Sequence, residues 1–201
     1  MIMAFDGSSV DGSAYLDVVR LTRHAPAWLD GAVSFWSTYG LAAFAVLAIV
    51  GWWFARRGGD AAAVRALAVP VFVLVAYGVD ALVKLAVRED RPCQSLRVKT
   101  LETCPAPGDW SFPSNHAAIA AAAAVALFFV SRRLGAVAAV AALAMAVSRV
   151  WVGAHYPHDV VAGVLVGGLV SLVAMLALRR WSGSMARWIG SGSLRRLLSA
   201  S

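Results

Sequence analysis

Long apolar runs separated by short polar links dominate the chain. The first extends from about Val33 to Phe54, with Trp36 at one end and Trp52 and Trp53 at the other. Tryptophans at both ends resemble the aromatic belts of a membrane-crossing helix. A second run, about Val64 to Val87, contains Pro70, which is expected to kink or loosen its helix. The third, about Asn115 to Val130, is alanine-rich and short for a full crossing, suited to close approach of its neighbours. A fourth covers Leu134 to about Val152 and a fifth about Asp159 to Leu178, where Gly163 and Gly167 form a small-xxx-small pair fitted to packing within a bundle. Most of these runs approach the ~20 residues a bilayer requires. Ahead of them, Tyr15, Val18, Val19 and the stretch from Leu21 to Trp28 are spaced as in a short interfacial helix. The pattern predicts an all-α, polytopic transmembrane helix bundle of about five spans plus that N-terminal helix. It divides into an N-terminal segment 1–32, a core 33–180 and a basic tail 181–201.

Composition supports a membrane protein: of 201 residues, 60% are hydrophobic and only 14% charged, far from a soluble domain. The opening Met1-Ile2-Met3-Ala4-Phe5-Asp6 lacks the basic start and apolar core of a signal peptide, so no cleavage is expected. A net charge of +7 would suggest nucleic acid in a soluble protein. Here it sorts by membrane side instead, and no nucleic-acid partner is expected. Arg56, Arg57, Arg65, Arg132, Arg133, Arg179, Arg180, Arg187, Arg195 and Arg196 fall on one side against Asp60 alone. On the other side the N-terminal segment is net acidic. In the 88–112 loop, Arg88, Arg91, Arg97 and Lys99 cancel Glu89, Asp90, Glu102 and Asp109. The positive-inside bias makes the first side cytoplasmic and the loop extracytoplasmic, in a multi-pass plasma-membrane protein. Cys93 and Cys104 are too few for a metal knuckle. In an oxidising compartment they are expected to pair as a disulfide that ties the loop, two free thiols being the alternative.

Three polar clusters reach the outer level of this bundle: Lys84 with Arg91-Pro92, then Pro113-Ser114-Asn115-His116, then the stretch from Ser148 to Asp159. Ionisable groups at the edge of a hydrocarbon core point to function. Lys84, Arg91 and Arg149 together would repel a divalent metal, so no metal is expected. They favour a compact multivalent anion, which arginine's planar fork and lysine's point charge both suit. Ser114 and Asn115 open the third run, where free backbone N–H groups also attract phosphate. His155 lies four residues before Asp159, a spacing that lets the carboxylate hold one ring nitrogen protonated and aim the other outward. Such a histidine is a nucleophile towards phosphorus, forming a phosphohistidine. His116 can then protonate the leaving oxygen and deprotonate water. The reverse assignment of the two histidines is less favoured, because only His155 has a carboxylate at that spacing. His24 and His158 read as surface and interfacial histidines, and Asp80 as a partner of Lys84 or a cap on a polar face, with tuning of that lysine as the alternative. Trp110, Phe112, Trp151 and Tyr156 read as interface anchors beside a lateral entry for a lipid tail.

The three clusters resemble the signature motifs of the type 2 phosphatidic acid phosphatase superfamily: Lys84 with Arg91-Pro92, Pro113-Ser114-Asn115-His116, and Ser148-Arg149 with His155 and Asp159. The resemblance covers roughly 75 residues, with the motifs in order; each is weak alone and together they are specific. It implies a metal-independent, cofactor-free membrane lipid phosphatase whose helical core is shared with vanadium haloperoxidases. His155 would be the nucleophile, Asp159 its partner and His116 the acid/base, with Lys84, Arg91, Ser114 and Arg149 as phosphate ligands. Asn115, where many members carry glycine, departs from the pattern; its N–H still serves, and substrate choice is the property it touches. Ser111-Phe112-Pro113-Ser114 and Val152-Gly153-Ala154-His155-Tyr156-Pro157 are most similar to the short bacterial undecaprenyl-diphosphatases. That branch implies release of phosphate from undecaprenyl pyrophosphate at the outer face. The alternatives are a phosphatase of phosphatidylglycerophosphate, phosphatidate or a polyprenyl phosphosugar, or a non-catalytic binder of lipid phosphates. Arg88, Arg97 and Lys99 are read either as contacts for a second phosphate or as solvated charges.

Overall fold

The computed structural model describes residues 5–191; Met1 to Ala4 and the tail residues Arg195 and Arg196 lie outside the described residues. The described residues form eight helices: α1 Ser8–His24, α2 Ala27–Tyr39, α3 Leu41–Ala55, α4 Asp60–Val87, α5 Pro92–Ser95, α6 Asn115–Val130, α7 Arg132–Trp151 and α8 Pro157–Gly190. The architecture is the all-helical membrane bundle that the apolar runs predict. Three helices, α4, α7 and α8, are long and apolar enough to cross a bilayer, and the bent pair α2–α3 makes up to a fourth. At 16 residues α6 is shorter, about 24 Å at the α-helical rise.

The first apolar run is not one straight helix. It bends by 55° between α2 and α3, at Gly40. A Cβ there would fall 2.4 Å from the Trp36 carbonyl oxygen and 2.8 Å from the Met145 methyl, so the chain turns against α7 at a position without a side chain. Pro70 leaves α4 unbroken as a helix. The basic pair Arg179-Arg180, read as the end of the last run, lies inside α8, which continues to Gly190.

The alanine-rich α6 is the centre of the bundle. Eight of its alanines and Leu127 are buried, and it touches α3, α4, α7 and α8. Small side chains give α6 little apolar area per residue, so stability comes from close approach of backbones. At Gly163 and Gly167 of α8 an added Cβ would meet the carbonyl oxygens of Ser114 (2.5 Å) and Ala118 (2.0 Å). The two glycines thus pack α8 directly onto the first turn of α6. Around this centre Phe44, Val64, Val69, Leu127, Met145 and Met175 fill the remaining space.

At one end of the bundle α1 docks on its neighbours instead of lying free. Its buried Tyr15 and Val19 pack with Tyr156 and with Leu16, Leu96, Val98 and Val150. The Tyr15 hydroxyl donates to the Gly153 carbonyl. Phe5 pairs with the segment after α4 through Phe5 N–H to the Arg88 carbonyl (3.1 Å) and Asp90 N–H to the Phe5 carbonyl (3.0 Å).

Candidate active site

The polar clusters converge where α4 ends, α6 begins and α7 passes to α8. His155 stands in the turn Val152–Tyr156, which Gly153 makes possible at φ +83°. The ring is 2% exposed. Its Nδ1 lies 3.3 Å from Asp159 Oδ2 and 3.4 Å from Ser111 Oγ, while Nε2 lies 3.4 Å from Arg91 Nη1. A carboxylate on Nδ1 fixes the tautomer with the proton on that nitrogen and the lone pair on Nε2. Burial pulls the imidazole pKa from 6.5 down to about 3, against the pull of Asp159. His155 is therefore neutral at physiological pH, the form a nucleophile requires.

Asp159 is fully buried, and its Oδ2 is the hub of the turn. It accepts from the Ser111 hydroxyl and from the Tyr156 backbone N–H (2.8 Å), besides facing His155. The Asp159 carbonyl accepts from the Ser114 N–H (3.0 Å), which ties the start of α8 to the start of α6.

The three cations are brought within electrostatic reach of His116, which sits half-buried in the first turn of α6. Lys84 Nζ donates to the carbonyls of Trp110 and Ser111, both at 2.9 Å, and its third proton has no hydrogen-bond acceptor among the described residues. Asp80 makes no hydrogen bond or ion pair with Lys84 among the described residues, although the two stay within electrostatic reach of each other. Lys84 is turned to these loop carbonyls, and the buried Asp80 oxygens have no hydrogen-bond partner among the described residues. Arg91 donates to the Ala154 carbonyl (2.9 Å) and pairs with Asp109 (3.0 Å). Arg149 donates to Ser37 of α2 (2.6 Å) and pairs with Glu102 (3.1 Å). Asp109 and Glu102 belong to the 88–112 loop, in which Cys93 and Cys104 are joined as a disulfide with Cα atoms 5.9 Å apart. Ser114 Oγ and Asn115 Oδ1 are buried without a partner among the described residues, at the N-terminus of α6. Arg88 and Arg97 are the two non-glycine residues at positive φ among the described residues, and Lys99 is exposed.

Two residues depart from their sequence reading. His158 is not an interfacial histidine: Asp11 and Glu89 hold its ring at 2.7 and 3.0 Å. Tyr156 is not an interface anchor but fully buried, stacked on His158 with ring centres 5.4 Å apart. Glu89, His158 and Asp159 offer three potential ligand atoms within 4.8 Å of one another. Sequence reasoning missed Ser111, Ser37, Asp11, Glu89, Glu102 and Asp109. They sit in loops or outside the motifs, where no periodicity marks them; only the polar Ser111 beside Pro113-Ser114 carried a signal.

A buried histidine backed by a carboxylate and faced by two arginines, at one end of an apolar helix bundle, is an arrangement suited to phosphoryl chemistry. The PAP2 superfamily model matches residues 65–182, more than half of the chain, and the protein belongs to that superfamily. It is similar to undecaprenyl-diphosphatase BcrC of Bacillus subtilis (29% identity over 150 residues, 75% of each chain). Shorter stretches are similar to decaprenylphosphoryl-5-phosphoribose phosphatase of Mycobacterium tuberculosis (36% identity, 49% of this chain and 53% of the relative). Lipid A 1-phosphatase of Rhizobium etli matches at 43% identity over 35% of this chain and 30% of its own. No solved structure matches the chain at a significant level. The protein is a membrane phosphatase of this family.

Proposed function

We propose that the protein hydrolyses a lipid pyrophosphate at the extracytoplasmic face of the plasma membrane, releasing phosphate from undecaprenyl pyrophosphate through a phosphohistidine. The observation that carries this reading is the orientation of His155: Nδ1 towards Asp159, Nε2 towards Arg91. Nε2 attacks the terminal phosphorus and the P–O bond to the lipid phosphate breaks. His116 gives its proton to the departing oxygen, then takes one from the water that attacks the phosphohistidine and frees His155. Arg91, Arg149, Lys84, Ser114 and the first N–H groups of α6, including that of Asn115, hold the phosphoryl oxygens. Stabilising charge there is usually the larger share of such catalysis. No metal or cofactor enters these steps.

The named relatives act on polyprenyl-linked or lipid A phosphates, and the one covering most of this chain is the undecaprenyl-diphosphatase. An apolar groove of about 480 Å³ runs between α2 and α7, lined by Val33, Trp36, Leu143, Val147 and Trp151. It ends beside Ser148 and suits a lipid tail entering sideways. To these we add α6 as a fifth crossing helix, its short length matched by its position within the bundle.

The test is a panel of polyprenyl pyrophosphate, polyprenyl phosphate, phosphatidylglycerophosphate and phosphatidate, read as phosphate release in the presence of chelator with His155→Ala as blank. A preference for the pyrophosphate above about tenfold, ~1.4 kcal/mol in transition-state binding, is the expected result. Preference for a monophosphate would reassign the substrate, and the names of the relatives make that the second reading. No turnover of any lipid would leave a binder of lipid phosphates. Vanadate, a phosphate mimic, is expected to inhibit at millimolar order or below.

A further inference from the structure

His158 is the second residue of α8, and its surroundings come from three separate parts of the chain. Asp11, in the kink of α1 (φ −148°, ψ 27°), accepts twice. Its Oδ2 takes the His158 backbone N–H at 2.7 Å, and its Oδ1 lies 2.7 Å from Nδ1. On the other side of the ring Nε2 lies 3.0 and 3.2 Å from the two oxygens of Glu89 and 3.5 Å from Asp159 Oδ1. Phe112 and Tyr156 close over the imidazole. These groups face it from every element packed against it: Asp11 from α1, Glu89 from the segment after α4, Asp159 from α8, and the Tyr156 phenol. Lys84 is also within electrostatic reach of Asp159.

A neutral imidazole has one N–H and one lone pair. Here either tautomer would point a lone pair at a carboxylate oxygen, whereas an imidazolium donates on both sides. The charge count agrees, since three carboxylates surround this one ring. Glu89 and Asp159 are 1% and 0% exposed. Two desolvated carboxylates facing each other without a cation would share a proton, and burial already pushes the Glu89 carboxyl above its ordinary range. Asp159 is the acceptor for Nδ1–H of His155, and a proton on Asp159 would remove that acceptor.

We propose that His158 is held as an imidazolium by Asp11, Glu89 and Asp159, and that this cation is the positioning residue that keeps Asp159 ionised for His155. The role rests on the reading of His155 as the nucleophile. It makes α1 part of the catalytic scaffold. Gly7 is packed so closely that a Cβ there would lie 2.1 Å from Glu89 Oε1 and 3.0 Å from His158 Cε1. His158 itself touches no reacting atom.

The test compares kcat and KM from pH 5 to 9 for wild type, His158→Gln and the double variant Glu89→Gln/His158→Gln, on whichever lipid phosphate the wild type turns over. His158→Gln is expected to move the acid limb of kcat up by about one pH unit, so that kcat falls about tenfold at any fixed pH on the sloping part of that limb. KM should stay within about threefold, since the phosphate ligands are untouched. The double variant should bring the limb back, because the like charge facing Asp159 is gone; loss of packing alone would not be repaired by a second substitution. An unchanged limb in His158→Gln, or no recovery in the double variant, overturns the role. Turnover lost in His155→Ala with an unmoved limb in His158→Gln would sink this role and leave the hydrolase reading standing. A readout independent of activity is the ¹⁵N spectrum of histidine-labelled protein in micelles, with His158 assigned by its loss in His158→Gln. Both ring nitrogens protonated at pH 7 is the expected result. A neutral ring, or stoichiometric capture of added Zn²⁺ by Glu89, His158 and Asp159, overturns it.

Discussion

Ser111 has no place in the reading of the three motifs, yet its hydroxyl donates to the same Asp159 oxygen that faces His155. Its own carbonyl, meanwhile, accepts from Lys84. Ser111→Ala removes one donor from a buried carboxylate, and about 1 kcal/mol or more is the usual cost. The expected outcome is a fall in kcat of about tenfold with KM little changed, read on the preferred lipid. Glu102 makes the opposite case. Its side chain is 42% exposed and pairs with the buried Arg149, one of the cations proposed to hold phosphate, so substrate has to compete with it. With one partner in water the pair is screened and worth on the order of 1 kcal/mol. Glu102→Gln should therefore lower KM by about two- to fivefold while kcat holds; a higher KM would mean that Glu102 aims the arginine instead. His155 sets a third expectation, for stability. Its pKa is about 3 when folded, against the ordinary 6.5 of a free imidazole, so between these values the unfolded chain binds the extra proton. Stability is thus fully present above pH 6.5 and lost as pH falls, by about 2 kcal/mol at pH 5. Melts at pH 7.5 and 5 should show a smaller acid loss for His155→Gln than for wild type. Lys84, Arg91, Arg149, His155 and Asp159 were legible because charge in an apolar context is costly and stands out. Glu102 and Asp11 lie in polar segments, where nothing in the spacing sets them apart, and Ser111 stood out only as a polar residue beside Pro113-Ser114.

At the scale of helices, close approach carries the design. Gly167 faces the Ala118 carbonyl so nearly that a Cβ would lie 2.0 Å from its oxygen and 2.7 Å from its carbon. Glycine to alanine inside a helix ordinarily gains ~1 kcal/mol in propensity. Here that gain is outweighed, because backbone atoms of α6 cannot swing aside as a side-chain tip can. Gly167→Ala is expected to lower the melting temperature by several degrees; a rise would mean that α6 and α8 stand farther apart. Gly163→Ala presses on Ser114, and should cost activity beyond its effect on stability. The helix pattern was readable for the same reason that it folds: Asn115–Val130 appears with the bounds that its apolar run suggested. The bend at Gly40 was not readable, since helix-compatible residues continue on both sides and only the contact with Trp36 and Met145 marks the break. The overrun of α8 past Arg179-Arg180 has a related cause. Arginine is a good helix former, so a charge that ends a hydrophobic run need not end its helix.

For the whole molecule, two ends of opposite chemistry follow from one charge distribution. At one end Arg56 stacks over Trp52 and Trp53, each 4.4 Å from the ring centre, and Arg65, Arg132 and Arg179 meet around Phe128 and Phe129. At the other, α1 and the disulfide-closed loop cover the turn that bears His155, and Arg149 and Arg91 there are matched by Glu102 and Asp109. An excess of unmatched arginine is retained on the cytoplasmic side of membrane proteins, so the proposed orientation turns His155 outward. The chain offers a clean probe of this, because Lys84 and Lys99 are its only lysines. Lys84 is half-buried with two of its protons engaged by carbonyls, whereas Lys99 is exposed. A membrane-impermeant amine reagent applied to intact cells is expected to modify Lys99, with Lys99→Arg removing that label. Labelling of Lys99 only after the cells are broken would invert the topology, turn His155 towards the cytoplasm and exclude a substrate presented at the outer face.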